Sequence, residues 1–328
     1  MIQRIWKGEV KCMKKLGFLF PGQGAQYVGM GKFLYDNYQP AQKIFETAGE
    51  VLGFDIKDKI FNGTKEDLRK TELTQPAILT TSVASATVLQ EQGLAPQGAA
   101  GLSLGEYSSL VIAGSIKFED ALVIVQRRGQ YMQEAVPEGK GKMVSVLGLE
   151  DKQVEKACEM VRTETDKYVV PANYNSPKQI VISGEAEGVE LAKEKCHELG
   201  AKRTKEVSVS APFHCELLEP AAAKLKVELD QIEIKEPEID VISNVTGEPF
   251  QTAQEVRENL IRQVKSPVLL HQSFTKMINM GYDGFIDVGP GNTMTKLLSK
   301  VDRKVYQTSV DKGNNLQELL SNKEDLLK

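Results

Sequence analysis

"GAAGLSLGEYSSLVIAG" (98–114) passes from a strand pattern to a helix pattern through a serine set between glycines. GAAGL (98–102) reads as a short strand, and GEYSSLVIAG continues as helix to Gly114. Between them, Gly101-Leu102-Ser103-Leu104-Gly105 sets a serine between residues without side chains at i−2 and i+2. A strand that turns straight into a helix must turn sharply, and neighbours of minimal size let the serine oxygen stand clear of the sheet. The turn also puts Ser103 at a helix N-terminus, where unpaired N–H groups and the helix dipole favour negative charge. The five residues alone fit either a nucleophile elbow or a plain tight turn. The strand before and the helix after favour the elbow.

Working outward, LGFLF (16–20) is an apolar run ending at Pro-Gly and reads as a buried strand. Helices are predicted around 40–53, over 74–93 with a stop at Gly93, and over 118–135 with a stop at Pro137. After VPEGKGK (136–142) the texture changes to strand 143–149, helix 151–163, strands 168–175 and 179–184, helix 188–200 and strand 203–210. This βαββαβ order is that of a ferredoxin-like unit. Strand and helix patterns then alternate again, with strands 237–244 and 284–289 and helices around 215–230, 252–264, 266–280 and 291–300. The expected fold is therefore α/β with a mostly parallel sheet and an inserted ferredoxin-like subdomain. The expected divisions are 13–138 with 207–328 for the large part and 139–206 for the small one. Residues 1–12 are a candidate disordered extension, with Met13 an alternative start.

Composition narrows the function classes. The 328 residues are 41% hydrophobic, enough for a sizeable core, and the net charge of −4 argues against a general nucleic-acid binder. No run approaches the roughly 18 apolar residues of a membrane span, and the charged start lacks the apolar core of a signal peptide. Cys12, Cys158, Cys196 and Cys215 are scattered without a CxxC pair, which suits a reducing cytoplasm and neither a zinc site nor a disulfide framework. No metal or cofactor is expected.

A serine nucleophile needs a base, and the chain has three histidines. His197 lies inside a charged helix and reads as a solvated position. His271 opens a helix, where a cap or surface role is the simpler reading. His214, in SVSAPFHCELL, follows a strand and a proline where a helix begins, a placement that suits a cleft and also a buried structural histidine. PGQGAQYVGMG (21–31) is a second glycine-rich turn after a strand. Its spacing fails the dinucleotide fingerprint and there is no GK[ST] for a P-loop. Its backbone N–H groups, with that of Leu104, suit an oxyanion hole. In VIVQRRGQYM the mid-helix pair Arg127 and Arg128 fits a surface salt bridge, but one arginine of an adjacent pair normally faces inward, and a buried guanidinium needs an anion.

Taken together, "FPGQGAQYVGMG" (20–31), "GLSLGEYSSLVIAG" (101–114), "QRRGQYMQEAVPEGKGKM" (126–143), "NYNSPKQIVISG" (173–184), "APFHCELL" (211–218) and "DVGPGN" (287–292) resemble the malonyl-CoA:acyl carrier protein transacylases of fatty-acid synthesis. The likeness runs in order from about residue 14 to beyond 300. It implies a hydrolase-like α/β core with an inserted ferredoxin-like subdomain. It also implies Ser103 as nucleophile, His214 as base and Gln263 as the residue whose backbone carbonyl orients the histidine. Gln23 and Leu104 would supply oxyanion N–H groups, Arg128 would clamp a malonyl carboxylate, and Met132 and Phe213 would shape the acyl pocket. The implied partners are malonyl-CoA and holo-acyl carrier protein, for a cytoplasmic monomer. AKRTK (Lys202, Arg203, Lys205) is a candidate carrier-docking patch, or a solvated strand edge. One departure stands out: Leu102 occupies the position before the serine where the family commonly has histidine. Two alternatives stay open, a serine hydrolase or thioesterase built on the same elbow and an inactive carrier-binding module.

Overall fold

The computed structural model describes residues 15–326 except 138, 208 and 210, so the stretch 1–12 lies outside the described residues. Among the described residues nine strands form two sheets: β1 (Leu16–Phe20), β2 (Gly98–Gly101), β3 (Gly141–Leu147), β4 (Val169–Ser176), β5 (Gln179–Glu185), β6 (Arg203–Glu206), β7 (Asp240–Ile242), β8 (Gly284–Asp287) and β9 (Tyr306–Ser309). The larger sheet has the order β7-β2-β1-β8-β9, and every pairing in it is parallel. β1 runs through its middle, which is why LGFLF is apolar at nearly every position: a central parallel strand is covered on both faces. Phe18 and Phe20 enter the larger apolar cluster and Leu19 the smaller one, as the two-residue period of a strand requires. The larger cluster includes side chains of helices Gln39–Leu52, Thr71–Glu91 and Phe118–Glu134. The smaller includes side chains of Leu270–Asn279 and Thr293–Val301.

The second sheet has the order β4-β5-β3-β6 and is antiparallel throughout. That is the ferredoxin-like order expected from the βαββαβ pattern. Val144, Val146, Ile180 and Ile182 pack on one face against helices Asp151–Glu164 and Ala186–Glu198. Met143 and Val181, on the other face, join the larger cluster with Phe213.

Several boundaries differ from the sequence reading, each for a local reason. The strand expected over 203–210 ends at Glu206, with positions 208 and 210 outside the described residues. The strand expected over 237–244 is reduced to Asp240–Ile242, because the N–H of Glu238 is taken by the Ala113 carbonyl. The helix expected from 266 starts at Leu270, since Val268 instead bridges to Asn173 of β4. β9 was not anticipated: YQTS is a half-buried polar edge strand and carries no buried-strand pattern.

The helix Phe118–Glu134 packs closely on Thr71–Glu91 at Gly129. A methyl group there would lie 2.5 Å from the Thr71 carbonyl oxygen, a backbone atom that cannot swing away. Alanine in a helix interior is ordinarily favoured over glycine by about 1 kcal/mol, whereas forcing atoms into a packed interface costs about 1–3 kcal/mol. Gly129→Ala is therefore expected to lower the unfolding free energy measured in urea. A gain in stability would show that the two helices separate freely.

Candidate active site

Loops at the carboxyl ends of the parallel strands supply the site, the usual location in an open parallel sheet. Pro21–Gly24 follow β1, Ser103 follows β2 and Asn244 follows β7. Ser103 has φ 54° and ψ −101°, a conformation costing of order 1–3 kcal/mol for a residue with a side chain. The flanking glycines are what allow it. A methyl group on Gly101 would lie 1.9 Å from the Gly105 carbonyl carbon, and one on Gly105 would lie 2.2 Å from the Phe20 oxygen. Asn244 holds the turn from outside: its Oδ1 accepts the Ser103 N–H at 2.7 Å and its Nδ2 donates to the Gly101 carbonyl at 2.7 Å.

His214 also has a positive φ, 60°, and is buried. Its Nδ1 is 2.8 Å from the Gln263 carbonyl oxygen and its Nε2 is 2.8 Å from Ser103 Oγ. A carbonyl can only accept, so Nδ1 carries the proton, and Nε2 of the neutral ring accepts the serine O–H. Burial, and then the nearby Arg128 charge, push His214 down to about 3. The ring is thus a neutral base aimed at the serine.

Of the adjacent arginines, Arg127 is exposed and Arg128 is 1% exposed. Arg128 donates from Nη1 to Gln75 Oε1 at 2.8 Å, and from Nη2 to Ser103 Oγ and to Gln263 Oε1, each at 2.9 Å. Its guanidinium lies 5.5 Å from the Tyr107 ring centre. Among the described residues no carboxylate forms an ion pair with it, and its Nε has no partner. Burial lowers its pKa from the usual value, yet a guanidinium remains protonated in a protein.

Gln263 joins the two halves. Besides its carbonyl bond to His214 and its Oε1 bond to Arg128, its Nε2 donates to the Ser103 carbonyl at 3.0 Å and to Glu106 Oε2. Glu106 Oε1 accepts the Asn244 N–H at 2.8 Å. Burial pushes the Glu106 carboxyl up, while these two donors and Arg128 pull it down; both of its oxygens face N–H donors, as those of an ionised carboxylate do.

The remaining expected residues gather around this centre. Leu104 is buried and opens the helix Leu104–Ile112, and Gln23 is half-buried with its side chain 3.4 Å from Thr71 Oγ1. Among the described residues nothing accepts from the backbone N–H of either. Met132 Sδ is 3.8 Å from Gln75 Nε2, and Met132 and Phe213 belong to one apolar cluster. Leu102 packs its side chain on the smaller cluster, with its Cγ beside Gly22. His197 is exposed near Thr204, and His271 is half-buried and faces Asp151, so neither contacts Ser103. Lys202, Arg203 and Lys205 are exposed. Among the described residues no three His, Cys, Asp or Glu side chains form a metal-ligand set, and no helix is long and apolar enough to cross a membrane.

Three members of the network were not anticipated: Gln75, Glu106 and Asn244. Glu106 did leave a signal, as a lone carboxylate in LGEYSSLVI with no basic residue at helical spacing to pair with it. Gln75 and Asn244 left none.

A strained serine, a neutral histidine on its oxygen and a charged arginine beside it are the parts that acyl transfer through a serine requires. The family described as acyl transferase domain matches residues 17–314. The chain is 44% identical to the malonyl CoA-acyl carrier protein transacylase of Bacillus subtilis (strain 168), over 93% of this chain and 96% of that protein. It is 43% identical to the protein of that name from Escherichia coli (strain K12), over 88% and 93%. The structure of the malonyl CoA-acyl carrier protein transacylase from Clostridium perfringens superposes with a TM-score of 0.91 at 45% identity, over 95% of this chain and 98% of that one. A malonyl-transacylase solved in complex with its type II PKS acyl-carrier protein gives 0.91 at 40% identity, over 94% and 99%. The chain belongs to the acyl transferase family, among the malonyl CoA-acyl carrier protein transacylases.

The depressed His214 value has a direct consequence. In acid the unfolded chain takes up a proton on this residue below about pH 6.5 while the folded protein does not, so this part of the stability is present above 6.5 and lost as pH falls toward 3. Nitrogen NMR of the His214 ring is expected to show neutral imidazole, protonated at Nδ1, still at pH 5. An imidazolium at pH 6 would contradict the geometry.

Proposed function

We propose that the protein moves a malonyl group from malonyl-CoA to the phosphopantetheine thiol of an acyl carrier protein, through a malonyl ester on Ser103. The observation that carries this reading is Arg128: a buried guanidinium, unpaired with any carboxylate among the described residues, with Nη2 2.9 Å from Ser103 Oγ. A carboxylate two bonds beyond a thioester carbonyl, as in malonyl, supplies the missing anion next to the reacting atom. An arginine fork grips such a group in bidentate fashion.

The chemistry runs in two halves. Ser103 Oγ gives its proton to His214 Nε2 and attacks the thioester carbonyl, while the oxyanion is met by the backbone N–H groups of Gln23 and Leu104. The carbon–sulfur bond breaks, and CoA leaves with the proton from His214. The carrier thiol then gives its proton to His214 and attacks the ester carbonyl; the carbon–oxygen bond breaks, and Ser103 Oγ leaves with the proton returned by His214. Gln263 orients the imidazole through its carbonyl, and Met132 and Phe213 line the acyl pocket. Leu102 takes no part in proton transfer: its side chain is packed away on an apolar cluster, and backbone donors do not depend on it.

Carrier docking at the β6 edge fits the charge pattern. Lys142, Lys193 and Lys195 of the same unit are paired with glutamates, whereas Lys202, Arg203 and Lys205 are exposed and form no ion pair among the described residues. That leaves them for an acidic partner. We assign the product to fatty-acid synthesis in the cytoplasm. We take the protein to act as a monomer.

Incubation with malonyl-CoA is expected to add one malonyl mass, located on the peptide containing Ser103 and absent in Ser103→Ala. Labelling that persists in the alanine variant would remove Ser103 from the role. Arg128→Ala is expected to lower kcat/KM for malonyl transfer by about a hundredfold or more, roughly 2.7 kcal/mol, while keeping or raising acetyl transfer. Equal losses for both acyl groups would make Arg128 a structural arginine.

A further inference from the structure

One charged group has no part in the chemistry above. Glu106 lies three residues after Ser103, wholly enclosed, on a helix otherwise made of apolar and small residues and one tyrosine. Its two oxygens have different partners: Oε1 accepts the backbone N–H of Asn244 at 2.8 Å, and Oε2 accepts from Gln263 Nε2. Each partner holds a different part of the site. Asn244 fastens both sides of the elbow, through the Ser103 N–H and the Gly101 carbonyl. Gln263 receives the His214 Nδ1–H on its carbonyl and the Arg128 Nη2–H on its Oε1.

We infer that Glu106 is a positioning residue for acyl transfer, a carboxylate that joins Asn244 to Gln263 and thereby fixes Ser103, His214 and Arg128 in one frame. The inference rests on reading Ser103 and His214 as nucleophile and base. Hydrogen-bond direction supplies the argument. A carboxylate only accepts, so it sets the Nε2 end of Gln263 toward itself and the Oε1 end toward Arg128. A glutamine at 106 has the same shape, but one of its two ends is an NH2 group. That end faces either Gln263 Nε2 or the Asn244 N–H, donor against donor, and one bond of the frame is lost. A displacement of about 1 Å at reacting atoms is enough for a loss of around a hundredfold in rate. The same substitution leaves Arg128 its acceptors Gln75 Oε1 and Ser103 Oγ, so the grip on an anionic acyl group is not weakened.

The test is Glu106→Gln in the full-length protein, with malonyl transfer measured at varied malonyl-CoA. The expected result is a fall in kcat of about 30-fold or more, with KM unchanged within about twofold or lowered. In an Arg128→Ala background, acetyl transfer falls by the same factor. If Glu106→Gln does not fold, as judged by circular dichroism, Glu106→Asp carries the test. Its carboxylate recedes by one methylene and reaches only one partner, and kcat falls about tenfold with KM held. A folded variant with kcat within about twofold of the parent overturns the inference. So does a loss that tracks thermal stability and disappears when the assay is run well below the melting temperature. Mass mapping separates this from the underlying reading: the adduct in Glu106→Gln still forms on Ser103, only more slowly. An adduct elsewhere in the parent protein overturns the Ser103 assignment and this inference with it.

Discussion

The guanidinium of Arg128 sits inside the protein with only neutral oxygens on the donors it uses, those of Gln75, Gln263 and Ser103. Removing such an ion from water costs several kcal/mol even after the surroundings relax, and neutral acceptors return only part of that. Much of the site follows from this one uncompensated charge. It helps hold His214 neutral, and it faces Glu106 at one remove across the Gln263 amide.

The second constraint is backbone strain. Ser103 and His214 both occupy positive φ, and each is tied to a rigid element by hydrogen bonds that offset the strain. Ser103 is tied through Asn244 at the end of β7, and His214 through Gln263 at the end of the helix Ala253–Gln263. The parallel sheet matters to function because it brings the ends of β1, β2 and β7 to one edge. Residues more than a hundred positions apart then share single hydrogen bonds.

What was legible in the sequence was whatever local geometry dictates. The glycines around Ser103 have to be small for the turn to exist, and an Arg-Arg pair on a helix cannot point both side chains inward. The strand–helix rhythm likewise conveyed the parallel sheet and the ferredoxin-like unit. Asn244 and Gln75 escaped because their roles exist only after assembly: an asparagine just past a three-residue strand looks like any turn residue until β7 lies beside β2. β9 escaped because an edge strand covered on one side needs no apolar run. The roles of Gln263 and the oxyanion residues came from family resemblance, since a backbone carbonyl or N–H leaves no mark on residue identity.

The central claim is that the substrate's carboxylate completes the charge balance of Arg128. Ser103→Ala removes the covalent step and leaves the guanidinium in place, so the claim can be tested by binding alone. Isothermal titration of this variant with malonyl-CoA and with acetyl-CoA measures the difference directly. The account predicts malonyl-CoA binding tighter by about tenfold or more, a difference of roughly 1.4 kcal/mol, that vanishes when Arg128→Ala is added. Equal affinities with the arginine present would contradict it.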